Sequence, residues 1–226
     1  MNFKLNGKEA NMLAIKGDSV VRRLVWAGMC LALAVFAGQS FAQKADRPAV
    51  KVGDRWTFEA RVQPSGARQP SHTWMISSVT PARIEGTDNG RRLVLTPELN
   101  VLQSADKQHG NERLLSFPLE VGKQWSFTDK FGLLGFQMSA RDTVSVEVVA
   151  HEKVRVPAGE FEAFRLEAKG TRATPSYTGE IGWTYWYAPA ARAIVKSEFR
   201  QISTHGGTRE VTMATTTELG EFQLQP

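Results

Sequence analysis

From Trp56 onward the chain is built from short alternating or β-branched runs, each closed by a turn signal. The runs cover Trp56–Val62, His72–Val79, Arg92–Thr96, Arg113–Phe117, Thr143–Val149 and Phe161–Ala168, then Thr184–Tyr187, Ala193–Ile202 and Arg209–Thr217. Pro64-Ser65-Gly66, Thr87-Asp88-Asn89-Gly90, Pro157-Ala158-Gly159, Thr178-Gly179 and Gly206-Gly207 punctuate them. A period of two sends successive side chains to opposite faces of a strand. Asn89-Gly90 and Gly206-Gly207 can supply the positive φ that tight hairpins need. No amphipathic helix of ordinary length follows Gln43. The pattern predicts an all-β fold, an antiparallel meander forming a curved sheet, a half-barrel or a sandwich.

Two segments read almost alike. Val52-Gly53-Asp54-Arg55-Trp56-Thr57-Phe58 and Val121-Gly122-Lys123-Gln124-Trp125-Ser126-Phe127 share the pattern V-G-x-x-W-[ST]-F. The glycine permits a tight turn, and Trp and Phe two apart then point to one face of the strand that follows. Two copies raise two alternatives: related halves at 52–120 and 121–226, or recurrence of a common turn-plus-strand pattern.

The N-terminal region has another character. Arg22-Arg23 precede an apolar run from Leu24 to Ala37, and Ser40-Phe41-Ala42 follows. A basic stretch, a short apolar core and a small-x-small site are the three parts of a secretory signal peptide. A bilayer span needs roughly 20 apolar residues, more than this run provides. The expectation is cleavage near Ala42, residues 1–42 being leader and N-terminal extension, 43–51 a linker and 52–226 the β domain. Localisation is then periplasmic or secreted, and no transmembrane segment is expected in the mature chain.

Charge and cysteine narrow the function classes. The chain carries a net charge of +5, and Lys4, Lys8, Lys16, Arg22 and Arg23 lie in the leader against Glu9 and Asp18. The remaining balance is close to even, which gives no basic stripe for nucleic acid. Cys30, the one cysteine, lies inside the leader. The mature chain therefore has neither a disulfide nor a thiol nucleophile, although its compartment would allow the former.

A resemblance emerges in the second half. Phe117-Pro118-Leu119-Glu120-Val121-Gly122-Lys123-Gln124-Trp125, Val156-Pro157-Ala158-Gly159-Glu160-Phe161-Glu162-Ala163 and Tyr185-Trp186-Tyr187-Ala188-Pro189 occur in this order. Together they resemble a TapB-like group of exported bacterial β-proteins of unknown function, over roughly residues 117–200. The resemblance implies a curved antiparallel sheet akin to the half-barrels of lipoprotein carriers, and it transfers no catalytic residue. Ala190-Ala191 stand where such proteins show glycine after Ala-Pro, so that turn is expected to differ. Physically, Pro157 ends a strand, Gly159 allows the reversal, and Phe161 and Phe164 re-enter packed surface.

No reactive motif stands out. His72, His109, His151 and His205 are scattered without metal-ligand spacing, so no metal or cofactor is expected. His151-Glu152 reads as a solvated hairpin end. Glu160 and Glu162 share a strand face beside a turn, where solvated acids are common. There is no Gly-x-Ser-x-Gly elbow. Two apolar groups are the candidate ligand-binding residues. Trp183, Tyr185 and Tyr187 alternate onto one strand face, against Thr184 and Trp186 on the other, and such rings suit partly wet sites as well as cores. Phe131, Leu134 and Phe136, in Phe131-Gly132-Leu133-Leu134-Gly135-Phe136, read either as an oily flap or as a bulged core strand.

Three functions follow. The first is a non-catalytic periplasmic binding protein that holds a lipid, acyl chain or hydrophobic peptide in a curved sheet, and it expects an apolar cavity reached by both groups. The second is an envelope protein-interaction module, which expects a flat exposed patch and no cavity. The third is a hydrolase, which expects scattered His, Asp and Glu side chains to converge within hydrogen-bond reach.

Overall fold

The computed structural model describes residues 43–226 apart from 106, 134–138, 176–177 and 206–207. The leader, Leu134, Phe136 and the Gly206-Gly207 turn therefore lie outside the described residues. In chain order the strands are β1 (Lys44–Ala45), β2 (Arg55–Val62), β3 (His72–Val79), β4 (Ile84–Asp88), β5 (Arg91–Leu95), β6 (Val101–Ser104) and β7 (Lys107–His109). They continue as β8 (Leu119–Glu120), β9 (Gln124–Leu133), β10 (Ser139–Val156), β11 (Gly159–Ala173), β12 (Thr178–Ala188), β13 (Ala193–His205) and β14 (Thr208–Gln223).

Every pairing is antiparallel, and the sheet closes. The order β10-β11-β12-β13-β14-β2-β3-β4-β5-β6-β7-β9 returns to β10, giving a barrel of twelve strands. The expected meander is thus present, and two long-range pairings complete it: β14 with β2, and β7 with β9. Closure leaves no open edge in this sheet. β1 pairs with β8 outside the barrel order, so Lys44 and Ala45 of the expected linker are held against Glu120 and Leu119.

The turns follow their residues. Asn89 and Gly90 both have positive φ, +49° and +78°, and join β4 to β5 through the pair Asp88↔Arg91. Val156 pairs with Gly159 across Pro157-Ala158, with Gly159 at φ +138°. After Ala188-Pro189 the chain makes a short 3-10 turn, and Arg192 takes the left-handed conformation that a glycine would take easily.

The two V-G-x-x-W-[ST]-F segments build the same local structure. Gly53 and Gly122 both have φ +91°. Each donates its N–H to a strand carbonyl, Ile76 at 2.9 Å and Val148 at 2.8 Å. Those residues donate back to the carbonyls of Asp54 (3.0 Å) and Lys123 (2.9 Å). Each tryptophan indole then donates to a distant carbonyl at 2.7 Å, Trp56 to Ala191 and Trp125 to Arg113.

The interior fills by alternation. On β10, Val144, Val146 and Val148 are buried while Thr143, Ser145 and Glu147 are exposed. A bulge between Val148 and Ala150 interrupts the β10–β11 register. The strand continues beyond it to Val156, so His151 and Glu152 lie mid-strand and not at a hairpin end. His151 packs edge-on to Phe164, with ring centroids 4.7 Å apart, and Glu152 accepts from the Trp186 indole at 2.8 Å. Glu160 and Glu162 are solvated acids facing Lys153 at 3.7 and 3.9 Å.

Candidate functional site

Two apolar clusters fill the barrel, one around Trp56, Phe58, Leu93, Leu95 and Leu219, the other around Leu115, Phe127, Val146, Leu166 and Tyr185. Between them the lumen is open. A cavity of about 270 Å³ is lined by members of both, among them Trp56, Phe58, Leu115 and Tyr185, together with His72, Trp74, Leu99, Val101 and Trp183. A second cavity, also of about 270 Å³, is lined by Lys107, His109, Asp129, Asp142, Arg172, Phe199 and Met213. Glu112, Leu114 and Trp183 line both. The lumen is thus divided into an apolar chamber and a charged chamber that meet at these three side chains.

Strand register explains the charged chamber. Asp142 pairs with Arg172 on β11 and with Asp129 on β9, so the three form one rung across neighbouring strands. Arg172 holds Asp142 with two hydrogen bonds, Nε to Oδ1 at 2.8 Å and Nη2 to Oδ2 at 2.7 Å, and donates to Gln201 Oε1 at 3.2 Å. Asp129 meets His109 Nδ1 at 2.6 Å and accepts from the backbone N–H of Gly110 and Asn111 at 2.9 and 2.8 Å. Burial alone would raise the Asp129 carboxyl. The His109 bond and the two backbone N–H groups outweigh it and hold the group below its ordinary value. An ionised Asp129 accepts, so His109 carries its proton on Nδ1.

Glu112 is treated differently. Its Oε2 accepts from the Val101 N–H at 3.1 Å, while Oε1 reaches His109 Nδ1 only at 3.7 Å, beyond hydrogen-bond range. Burial raises the Glu112 carboxyl, and His109, Lys107 and the Val101 N–H pull against it without cancelling it. Burial also lowers the Lys107 ammonium, which stands 4.4 Å from the centre of the Phe131 ring.

The apolar chamber contains polar atoms that the protein does not satisfy. Tyr185 is 1% exposed, and its hydroxyl has no hydrogen-bond partner among the described residues. Burial pushes this phenol well above its ordinary value, and the Glu112 charge adds to the rise. His72 Nδ1 and Trp74 Nε1 make no well-formed hydrogen bond either, but His72 stands 3.5 Å from Asp88 Oδ1 and, against burial, both side chains help to hold that carboxyl below its ordinary value. Their rings cluster with Phe58, at centroid distances of 5.0 and 5.5 Å. Native proteins pair nearly all buried polar groups, so the unpartnered hydroxyl of Tyr185, a residue that lines the cavity, needs an explanation.

Of the candidate ligand-binding residues, Trp183 and Tyr185 line the apolar chamber. Tyr187 is buried in the second cluster, edge-on to Phe117 with centroids 5.1 Å apart. Phe131 stacks on His109 and lies under both Lys107 and Arg172, beside the charged rung. Trp186 takes the opposite face, with the Lys196 ammonium over its ring. Sequence reasoning missed His72, Trp74, Glu112 and the rung. The rung carried a readable signal: Asp129 falls in phase with Phe127 and Phe131, Asp142 with Val144 and Val146, and Arg172 with Leu166 and Ala168. A polar residue in the apolar phase of a strand marks either a partner or a site.

The barrel is similar to solved bacterial structures. A Bacteroides fragilis protein described as exported and as having a YmcC-like fold aligns at a TM-score of 0.53 and 18% identity, over 79% of this chain and 99% of its own. A Parabacteroides distasonis protein described as a lipoprotein aligns at 0.51 and 11% identity over the same shares. These likenesses show the fold. The hypothetical lipoprotein YmcC of Escherichia coli aligns at 0.43, with 11% identity, over 95% of this chain and 98% of its own. No family model matches the sequence, and neither does any curated protein. The TapB-like resemblance therefore rests on its sequence motifs. Among the described residues, no helix is long and apolar enough to cross a membrane, which says nothing about strands.

Proposed function

We propose that this chain is exported to the bacterial periplasm and acts there as a non-catalytic binding protein, holding an amphiphilic ligand inside its barrel. The carrying observation is the apolar chamber itself, an aromatic-walled cavity whose lining includes Tyr185, a buried side chain with a hydroxyl that has no partner among the described residues. Apolar walls with a few convergent polar groups are the usual composition of a small-molecule site. The two chambers joined at Glu112, Leu114 and Trp183 offer room for both an apolar and a polar part. Burial of the apolar part supplies about 25 cal/mol per Å² before ordering costs are subtracted. The leader pattern supports export.

The test is uptake of Nile red, an uncharged solvatochromic dye. Saturable uptake with a blue shift and quenching of the lumen tryptophans is expected. Leu114→Arg, which places a long cation where the chambers meet, should lower dye affinity more than about tenfold, given the cost of an unpaired buried charge. Near-UV circular dichroism verifies that the variant folds. Absence of uptake by the folded wild-type protein refutes the reading.

A hydrolase is the second reading, favoured by one observation: His109 and Asp129 converge at 2.6 Å with Glu112 nearby. Among the described residues no hydroxyl is hydrogen-bonded to His109, which leaves the pair without a nucleophile to activate. Turnover of 4-nitrophenyl myristate that disappears in His109→Ala would establish this reading. The interaction-module reading expects a barrel without a cavity, and the apolar chamber weighs against it.

A further inference from the structure

Tyr185 lines the apolar chamber and Glu112 the wall that it shares with the charged one, and each has unused hydrogen-bonding capacity. The Tyr185 hydroxyl, buried and unpartnered, can donate and accept. Glu112 keeps Oε2 on the Val101 N–H and leaves Oε1 without a hydrogen bond among the described residues. The ionic side chains of the rung beside them are bound within the protein. Arg172 is bound to Asp142 and Gln201, and His109 and two backbone N–H groups are bound to Asp129. Lys107 lies against the Phe131 ring. An anionic head would meet Glu112, Asp129 and Asp142, and a cationic head would meet Lys107 and Arg172. A head of either sign would lose its hydration and meet charges of its own sign beside the opposite ones, with Lys107 and Glu112 already offsetting each other.

From this we infer that the site takes a neutral acyl ester of the monoacylglycerol kind, its head held between Tyr185 and Glu112 and its acyl chain lying against Trp56, Trp74 and Trp183. The inference rests on the reading of the lumen as an amphiphile site and adds the class of ligand. The ester carbonyl accepts from the Tyr185 hydroxyl, and a glycerol hydroxyl donates to Glu112 Oε1. Both partners lack such bonds in the protein alone, so the ligand satisfies groups that the fold leaves open. Tyr185 then carries a prediction that a structural tyrosine would not. Removing its hydroxyl deletes a buried unsatisfied group, so the fold should not weaken while the ester is lost.

The experiment displaces Nile red from the full chain with three probes of equal chain length: 1-monomyristoylglycerol, myristate and tetradecyltrimethylammonium, each below its micellar concentration. The monoglyceride should displace dye about tenfold more effectively than either ion, the scale set by one well-made hydrogen bond against an uncompensated charge. Tyr185→Phe should weaken the monoglyceride about three- to tenfold, the worth of one hydrogen bond, with the thermal midpoint not lowered. Glu112→Leu should weaken it comparably, and Glu112→Gln, which still accepts, should restore it. Equal or tighter binding of either ion, an unchanged monoglyceride affinity in Tyr185→Phe, or a lowered midpoint in that variant overturns the inference while leaving the lumen as a binding site. Failure of the dye and all three probes to enter removes the underlying reading as well.

Discussion

The two chambers of the lumen are alike in volume and share Glu112, Leu114 and Trp183, but they treat polar atoms in opposite ways. In the charged chamber Asp129, Asp142 and Arg172 are bound to protein partners at 2.6–3.2 Å. Around the apolar chamber the Tyr185 hydroxyl has no partner among the described residues, and His72 Nδ1 has only Asp88, at 3.5 Å. Buried charges must be compensated within the fold, because leaving one unpaired costs several kcal/mol. A buried hydroxyl or ring N–H left open costs less, about 1–3 kcal/mol. The difference separates polar groups that hold the barrel together from polar groups available to a ligand.

The largest expected effect falls on the charged side. Arg172→Ala would leave Asp142 beside Asp129 with no guanidinium, and should cost about 3–5 kcal/mol in urea unfolding. A loss under 1 kcal/mol would mean that water already screens the rung. Asp129→Asn is next, at about 1.5–3 kcal/mol at pH 7, the range for hydrogen bonds to a charged group. The folded carboxyl lies below its ordinary value of 3.8. Its contribution is therefore present above that value and lost as pH falls through the folded one. Wild type and Asp129→Asn should draw together in stability as pH falls through the folded value, below 3.8.

Glu112, at the shared wall, has the opposite sign. Its folded carboxyl lies above the ordinary 4.5, so the stability it contributes is complete below 4.5 and is lost as pH rises through the folded value. Glu112→Gln should raise the thermal midpoint at pH 7 and leave it unchanged at pH 4. An equal shift at both values would show that ionisation is not the cause. The smallest effect belongs to Tyr185→Phe, where removing an unpartnered hydroxyl should change stability by about 0 to +1 kcal/mol. A clear loss would place Tyr185 with the structural groups and erase the contrast between the chambers.

Much of this division was unreadable from the chain because it depends on register. The hairpins at Asn89-Gly90 and Pro157-Ala158 were legible, since positive φ and the missing proline N–H act locally. The V-G-x-x-W-[ST]-F segments were legible for the same reason. Closure was not, because the pairing of β14 with β2 joins residues such as Phe58 and Leu219, far apart in sequence. The apolar alternation stops at Val149, where a bulge between Val148 and Ala150 shifts the register and the strand runs on through His151-Glu152. Trp183 and Tyr185 could be selected by alternation alone. Asp129, Asp142 and Arg172 each sat in the apolar phase of a strand, and only the register shows that the three share one rung.

The central claim, that the lumen holds a single amphiphile, is tested most directly by native mass spectrometry of the full chain produced and exported in a bacterial host, followed by lipid extraction. The account predicts a one-to-one adduct that leaves on gentle activation and is recovered as a neutral acyl lipid. A protein that flies at its bare mass, and stays there after incubation with 1-monomyristoylglycerol, would contradict it.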